Sequence, residues 1–242
     1  MRDFLVFQLY GPMAAWGDIA VGEYRPSFAH PSKSAIVGLL AAALGIRRDE
    51  EDRHIKLASS CLFAVRVDSM GLLLRDYHTT QVPSAKRGVI HYTRKSELAG
   101  NDQNTILSSR DYRCDAAYTI AISMVEDSLY SVAQLATALQ KPVFTLYLGR
   151  KSCPLALPIQ PHIVQAASLH KALSGIENGA LPDITTKSPA FIYWEDGLES
   201  GVAQNQTIVR RDALRSRKRW QFSERKENCG FFPKEDVSCT SV

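Results

Sequence analysis

A short loop in the middle of the chain carries residue types that bind phosphate. An apolar, β-prone run at 143–148 ends at a glycine, and the next residues are Arg150, Lys151 and Ser152. A glycine after a strand lets the backbone approach a bulky partner, because it has no Cβ. Two cations, a hydroxyl and a free backbone N–H at that place suit phosphate groups. The same residues also fit a solvated surface turn, so the function of this segment, which we call the glycine loop (149–152), depends on the rest of the chain.

Other cations concentrate in two further parts of the chain, with aromatic residues interleaved. The first cluster comprises Lys86, Arg87, Arg94, Lys95 and Arg110, and the second comprises Arg210, Arg211, Arg215, Arg217, Lys218 and Arg219. The aromatic residues are Tyr77, Tyr92, Tyr112, Tyr147 and Trp220. Cations for phosphates and rings for stacking together favour single-stranded nucleic acid as a partner. Each cluster alone also fits a solvated face, and Tyr147 and Trp220 also fit core positions.

The composition is that of a mildly basic globular protein. The chain has 242 residues, 45% hydrophobic and 22% charged, with a net charge of +4, which permits a nucleic-acid partner without requiring one. The odd number of cysteines, five, without a C-x-x-C pair, argues against a disulfide framework and a zinc site and favours reduced thiols in the cytoplasm. Neither a signal peptide nor a membrane-spanning apolar run is present, so we expect no membrane association. We also expect no bound metal and no cofactor.

Apolar periodicity and turn signals predict an α+β order of elements. Strands are predicted at 4–10, 62–67, 72–77, 116–125 and 143–148, and helices at 33–44, 49–59 and 128–140. Ser32 and Gly45 supply an N-cap and a C′ residue for the first helix. The segment 78–110 lacks periodicity and predicts a protruding hairpin or a flexible loop. Without the extra elements, the order over 3–149 is β-α-β-β-α-β, the split βαβ or ferredoxin-like arrangement.

The last third of the chain predicts a smaller β-rich unit. Short strands are predicted at 162–166, 190–194, 207–211 and 219–222, with prolines between them. We therefore expect a palm at 1–155 with the excursion at about 78–110, a C-terminal unit at 156–227, and a poorly ordered tail at 228–242.

Five motifs, in this order and spacing, resemble the CasD family, the RAMP-superfamily subunits of the type I-E Cascade, which is a CRISPR RNA-guided surveillance complex. The motifs are GPMAAWG at 11–17, SAIVGLLAAALGI at 34–46, LRDYHT at 74–79, RDYRCDA at 110–116 and YLGRKSCPL at 147–155. Each motif alone is weak, and five in register are a strong signal. The resemblance covers about residues 2–170 well and the remainder loosely.

This resemblance implies a fold and a function. The fold would be a ferredoxin-like palm with a long β-hairpin thumb, which would be the segment 78–110. The function would be a non-catalytic subunit that caps the 5′ handle of the crRNA and anchors the first backbone subunit and the large subunit. Target DNA would be reached only through the complex.

The resemblance also implies RNA-binding residues at the matching positions. The glycine loop would contact handle phosphates and bases, and Met13 and Trp16 would lie near the handle. The start of the first helix would favour an anion through its dipole. The full set is Met13, Trp16, Arg25, Lys33, Ser34, Arg75, His78, Arg110, Tyr112, Gly149, Arg150, Lys151 and Ser152. Segments 81–108 and the chain after about 222 match poorly, so no contacts are transferred there.

Two other functions are compatible with the residues. A metal-independent endoribonuclease, as in the type I-C relatives, needs a base for the 2′-hydroxyl and an acid for the leaving oxygen. His78 beside Tyr77 and Lys33 could supply them, and His30 and His91 are also available. A two-metal nuclease is disfavoured because no carboxylate cluster suggests one. The second alternative is a scaffold that makes no RNA contact of its own.

Overall fold

The fold is mixed α+β and is dominated by antiparallel strands. A computed structural model describes residues 1–100, 102–176 and 190–233. The strands are β1 (Arg2–Tyr10), β2 (Met13–Ala14), β3 (Tyr24–Arg25), β4 (Cys61–Ser69), β5 (Leu72–Pro83), β6 (Gln103–Cys114), β7 (Ala117–Met124), β8 (His162–Ala166), β9 (Ala190–Trp194), β10 (Gln206–Ser216) and β11 (Gln221–Phe232). The helices are α1 (Lys33–Ala43), α2 (Glu51–Ser60), α3 (Arg94–Leu98), α4 (Val132–Gln140) and α5 (Leu169–Ser174).

The main sheet has a core on each of its two faces. Its strand order is β10-β11-β9-β4-β7-β1-β8, and every neighbouring pair is antiparallel. Alternate residues of β1 face opposite sides, as the pleat requires. Leu5, Phe7 and Leu9 are buried with α1, α2 and α4, whereas Phe4 and Val6 are buried with α5. The helices therefore fix both faces of the sheet on which the candidate site is built.

The first helix begins and ends where its sequence signals predict. The Ser32 side chain accepts a hydrogen bond from the Ala35 N–H, and Gly45 adopts a φ of 73° just after the helix. These are the N-cap and C′ arrangements that the residue types favour. The boundaries of α1 are therefore set locally, and its N-terminus is held at a defined place beside the sheet.

The excursion is a long hairpin, which extends further than the predicted 78–110. Strands β5 and β6 pair in register from Leu72 with Cys114 to Pro83 with Gln103, and α3 lies in the segment between them. The base of β6 also pairs with β2 in an antiparallel and with β3 in a parallel orientation. The second, smaller sheet therefore joins the hairpin to the first loop of the chain.

The strand predicted at 143–148 is wrong. The Val143 and Phe144 N–H groups instead donate to the Ala43 and Ala42 carbonyls at the end of α1, at 3.0 and 3.1 Å. The edge of β1 that this segment would have occupied pairs with β8. The apolar run thus completes the C-terminus of a helix, and a later strand takes its place in the sheet.

The strands assigned to a separate C-terminal unit extend the main sheet instead. β8 pairs with β1, and β9 pairs with β4, so both predicted units contribute to one hydrogen-bonded array. The tail prediction is wrong for 228–232, because β11 continues to Phe232 and Cys229 and Phe232 are buried. The remainder of that tail, 234–242, lies outside the described residues, as does 177–189.

Candidate RNA interface

The glycine loop packs tightly against the first loop of the chain. Gly149 has a φ of 84°, and a Cβ there would overlap the carbonyl oxygen of Ala15. The Ala15 N–H donates to the Leu148 carbonyl at 3.0 Å, and the Leu148 N–H donates to the Cys153 carbonyl at 2.8 Å. The glycine is therefore required by the close approach of two backbones, which fixes where the next residues point.

Arg150 ties this loop to the base of the hairpin. Its guanidinium lies over the Tyr112 ring at 4.7 Å and donates to the Asp111 and Arg25 carbonyls, each at 3.3 Å. Lys151 and Ser152 follow it and are exposed. The structure thus brings the glycine loop, β3 and the end of β6 together and leaves a cation and a hydroxyl open to solvent.

Arg75, on β5, forms hydrogen bonds with residues of β6 and β3 next to those that Arg150 contacts. Its Nε donates to Asp111 Oδ1 at 2.8 Å, and its Nη2 donates to the Tyr24 hydroxyl at 2.9 Å. The Tyr24 hydroxyl in turn donates to Asp111 Oδ2, and the hydrogen bond from Arg75, followed by that from Tyr24, holds the pKa of the buried Asp111 below its ordinary value. Arg75 therefore neutralises an internal carboxylate while part of its surface remains exposed.

Three of the predicted site residues, Met13 and Trp16 near the first loop and Tyr112 on β6, have side chains that are buried or half-buried. Trp16 is only 1% exposed and packs edge-on against Tyr118 at 5.6 Å, so its side chain is part of the core. Met13 is half-buried on β2, and Tyr112 is buried beneath Arg150. These three side chains support the surface on which the glycine loop lies.

The start of α1 is not an open anion site. The Asp212 carboxylate accepts a hydrogen bond from the Lys33 N–H at 2.8 Å, so a protein carboxylate already occupies the end of the helix. Lys33 Nζ lies 2.9 Å from Glu195 Oε2 in a largely buried ion pair, and Ser34 Oγ lies 3.0 Å from Ser32 Oγ. The helix dipole acts as predicted, but its partner is internal.

The remaining predicted residues lie along the hairpin. His78 is exposed on β5, with its Nδ1 3.7 Å from Asp76 Oδ2. Arg110 is half-buried on β6, in register with Asp76 and with Arg25. Arg110 and Arg25 therefore lie beside the residues that Arg150 contacts. His78 lies two positions closer to the tip of the hairpin than Asp76.

An open cleft of about 1050 Å³, which sequence reasoning missed, lies between α1 and the β10–β11 hairpin. The lining residues of α1 include Ser34, Ala35, Gly38 and Ala42, and the opposite wall includes Arg211, Arg215, Arg217, Arg219 and Trp220. Gly149 and Arg150 lie at the same cleft. The C-terminal cations were visible in the sequence, but only the fold places them opposite the small residues of α1 and next to the glycine loop.

A buried ionic network holds this wall against α1. Arg225 donates to Asp212 at 2.6 and 3.0 Å and to Glu227 at 2.6 Å, and Arg210 donates to Glu227 at 3.3 Å. His30 lies 2.9 Å from Arg210, and burial, followed by the charge of Arg210, lowers the pKa of His30 to about 3. The network explains why Arg210 and Asp212 are not available to a ligand although they belong to the basic cluster.

The described part of the chain has no cluster of potential metal ligands and no helix that could span a membrane. Among these residues, no group of three or more His, Cys, Asp or Glu side chains is arranged to hold a metal ion. The helices that the structure describes are all too short or too polar to cross a bilayer. Cys61, Cys114, Cys153 and Cys229 are free thiols.

The sequence matches a family of CRISPR-associated proteins. The model of the family described as "CRISPR-associated protein (Cas_Cas5)" matches residues 4–227. The chain belongs to this Cas5 family of CRISPR-associated proteins. It is similar to the "CRISPR system Cascade subunit CasD" of Escherichia coli (strain K12), with 36% identity over 185 residues that cover 73% of this chain and 78% of that protein.

Two solved structures share the fold over almost the whole chain. A chain of a "CRISPR RNA-guided surveillance complex" has a TM-score of 0.67 and 24% identity, and covers 96% of this chain and 90% of its own length. A "Crystal structure of Cas protein" has a TM-score of 0.64 and 26% identity, with 96% of each chain covered. The family model, which matches as far as residue 227, includes β9, β10 and the first half of β11.

Proposed function

We propose that this chain is a non-catalytic, cytoplasmic subunit of a type I-E Cascade that caps the 5′ handle of the crRNA. Its likeness to E. coli CasD, a Cascade subunit, supports membership of such a complex. The observation that carries the capping role is the glycine loop, in which Arg150 is fixed between β6 and β3 and Lys151 is exposed beside it. Fixed and exposed cations at one place bind a phosphate backbone in a defined register.

The strand order supports a ferredoxin-like palm. The strands β4-β7-β1-β8 lie side by side and antiparallel, and their chain order with α1 and α4 is β-α-β-β-α-β. In this proposal β8 is the fourth palm strand, and the β5–β6 hairpin is the thumb.

The thumb would pack against the first backbone subunit, and the large subunit would dock near the handle. Several apolar side chains of the hairpin are exposed, including Leu72, Leu73 and Tyr77, which supports a protein contact there.

The geometry favours a non-catalytic role over the endoribonuclease alternative. Tyr77 and His78 are consecutive residues of β5, so their side chains project to opposite faces of the strand. Lys33 is engaged with Glu195, and His30 is buried with a pKa of about 3, which leaves it neutral and enclosed. An acid–base pair needs groups that converge on one reacting atom. The opposed directions of Tyr77 and His78 and the internal partners of Lys33 and His30 therefore support the non-catalytic role.

The test is assembly of the complex on end-labelled crRNA. The double variant R150A/K151A should bind crRNA at least tenfold more weakly, because it removes two phosphate contacts, and its binding should depend less steeply on salt. The matched control is K56A/K141A, which removes two exposed cations from α2 and from the end of α4. If the two double variants bind equally well, the glycine loop is not an RNA contact and the scaffold alternative stands.

The same RNA, incubated with the unaltered chain with and without a chelator, tests the non-catalytic part. Intact RNA on a denaturing gel is the expected result. Discrete cleavage within the repeat that disappears in H78A would overturn this part of the proposal.

A further inference from the structure

The turn between β10 and β11 presents an exposed aromatic ring among arginines. Trp220 is 55% exposed, and the guanidinium groups of Arg217 and Arg48 lie 4.3 and 4.9 Å from the centre of its ring system. Ser216 and Gln221 pair at the end of the strands, so Trp220 is the last residue of a four-residue turn. An amphipathic ring this exposed is available to a partner.

Trp220 also occupies a backbone position that a bulky residue rarely adopts. Its φ is 57°, in the left-handed region that glycine or asparagine enters at little cost. A tryptophan there costs on the order of 1 kcal/mol, and such outliers cluster at functional sites. The turn therefore retains a large ring where a smaller residue would suit the backbone better.

The arginines around this ring are not held in ion pairs by the described residues, although the Glu51 carboxylate reaches the turn and accepts a hydrogen bond from the Lys218 N–H at 2.8 Å. In the described part of the chain, Arg211, Arg215, Arg217 and Arg219 take part in no ion pair with a carboxylate. Asp212, the acid among them, is already bonded to Arg225 and to the start of α1. Burial, with the nearby charge of Arg48 as a further cause, lowers the pKa of Arg217. Uncompensated cations that line a groove suit a polyanion.

The opposite wall leaves room for such a ligand. α1 turns small residues toward the cleft. At Gly38 the space is taken by the Arg217 guanidinium, because a Cβ there would lie only 3.2 Å from Arg217 Nη2, whereas Ser34, Ala35 and Ala42 line the rest of this wall. The cleft is as large as the pockets that enclose whole drug-sized ligands, and Gly149 and Arg150 also line it. A strand bound at the glycine loop can therefore continue along the cleft to the turn at Trp220.

We propose that the cleft holds single-stranded RNA that continues from the glycine loop, with Trp220 as a stacking platform for one base and with Arg215 and Arg219 as phosphate contacts. This inference rests on the proposed function and assigns a site to the C-terminal residues, for which the family resemblance gave no contacts. Rings for bases and cations for the backbone are the two components of single-strand recognition.

Tryptophan fluorescence gives a direct test, because Trp220 is the exposed one of three tryptophans and Trp16 and Trp194 are buried. The full chain is titrated with single-stranded repeat RNA, and a base that stacks on Trp220 should quench the emission. W220F should retain binding and lose the quench, because the phenyl ring still stacks. W220G should weaken binding about tenfold or more, in line with the loss of one stacked base.

The glycine variant separates binding from folding. Glycine relieves the left-handed backbone at 220, so W220G should not lower the melting temperature by more than about 2 °C. R215A/R219A should weaken RNA binding and reduce its salt dependence, whereas K56A/K141A should not. Equal RNA binding by W220G and the unaltered chain would overturn the inference.

The outcomes also distinguish this inference from the proposed function. If R150A/K151A loses RNA and the Trp220 and Arg215/Arg219 variants do not, the handle cap stands and the cleft site is wrong. If all variants bind as the unaltered chain does, both proposals are wrong. If W220G binds RNA normally but no longer co-purifies with the other subunits, the turn is a protein contact and the cleft inference is again wrong.

Discussion

At the scale of single residues, the glycine loop depends on a position that only glycine can occupy. Gly149→Ala would place a Cβ against the Ala15 carbonyl, at a φ of 84°. Backbone cannot move aside as a flexible side chain can, so we expect a loss of at least about 1–3 kcal/mol in the free energy of unfolding. Thermal denaturation should show a melting temperature lower by about 2–4 °C for each kcal/mol lost in a chain of this size.

The matched control for this substitution is Gly175→Ala. Gly175 follows α5 with a φ of −76°, and a Cβ there meets no atom within 4 Å. Its melting temperature should stay within about 1 °C of that of the unaltered chain. Equal melting temperatures for the two variants would show that the contact between Gly149 and Ala15 is not a constraint on the loop.

Residue types predicted some members of the candidate site and not others. Gly149 and Arg150 could be singled out because a glycine and cations after an apolar run have a direct chemical meaning. Lys33 could not be excluded, because its partners Glu195 and Asp212 are more than 160 positions away in the chain. Trp16 could not be excluded either, since an indole serves equally well in a core and at a ligand.

At the scale of elements, the C-terminal hairpin is attached to the rest of the fold by buried charges. His30 lies among Arg210, Arg225, Asp212 and Glu227, and it stacks on Tyr193 with a 3.9 Å separation of ring centres. The low folded-state pKa of His30 means that the unfolded chain binds this proton more readily. Stability is therefore present above pH 6.5 and is lost as the pH falls from there toward about 3.

We expect this loss to be measurable as a difference between the unaltered chain and His30→Gln. Glutamine can still bond to Arg210 but does not titrate, and the comparison cancels the opposite effect of Glu227, whose pKa is raised by burial. The stability of the unaltered chain relative to His30→Gln should fall by about 1.4 kcal/mol between pH 7.5 and 5.5, followed by urea unfolding. A difference that is independent of pH would mean that the pKa of His30 is the same in the folded and unfolded chains.

Elements with local signals were predicted, and those that depend on long-range pairing were not. α1 has its N-cap and C′ glycine in its own sequence, so its bounds agree with the prediction to within a residue or two. The run at 143–148 is as apolar as a strand, yet its N–H groups bond to the end of α1, and β8 pairs with β1. The hydrophobic pattern alone does not predict which of two apolar segments pairs with the edge strand of a sheet.

At the scale of the whole molecule, one sheet joins the two halves of the sequence. β9 pairs with β4 from Ala64 to Val67, and Ile192 and Trp194 are buried in the core that also contains Phe4 and Val6. The sequence predicted a separate C-terminal unit because prolines and weak periodicity interrupt the chain there. Those features describe the connections and carry no information about which strand pairs with which.

Truncation distinguishes a shared sheet from two separate units. A chain that ends at residue 176 would expose the β4 edge as an unpaired strand and would leave Lys33 without Glu195, so we expect it to aggregate or to unfold without a cooperative transition. The control ends at Pro233 and retains every strand that the structure describes, and it should unfold cooperatively. Circular dichroism during thermal unfolding, with size-exclusion chromatography, reports both properties. A cooperative, monomeric 1–176 chain would show that the C-terminal strands are an independent addition, and the cleft between α1 and β10–β11 would then be an interface between two units.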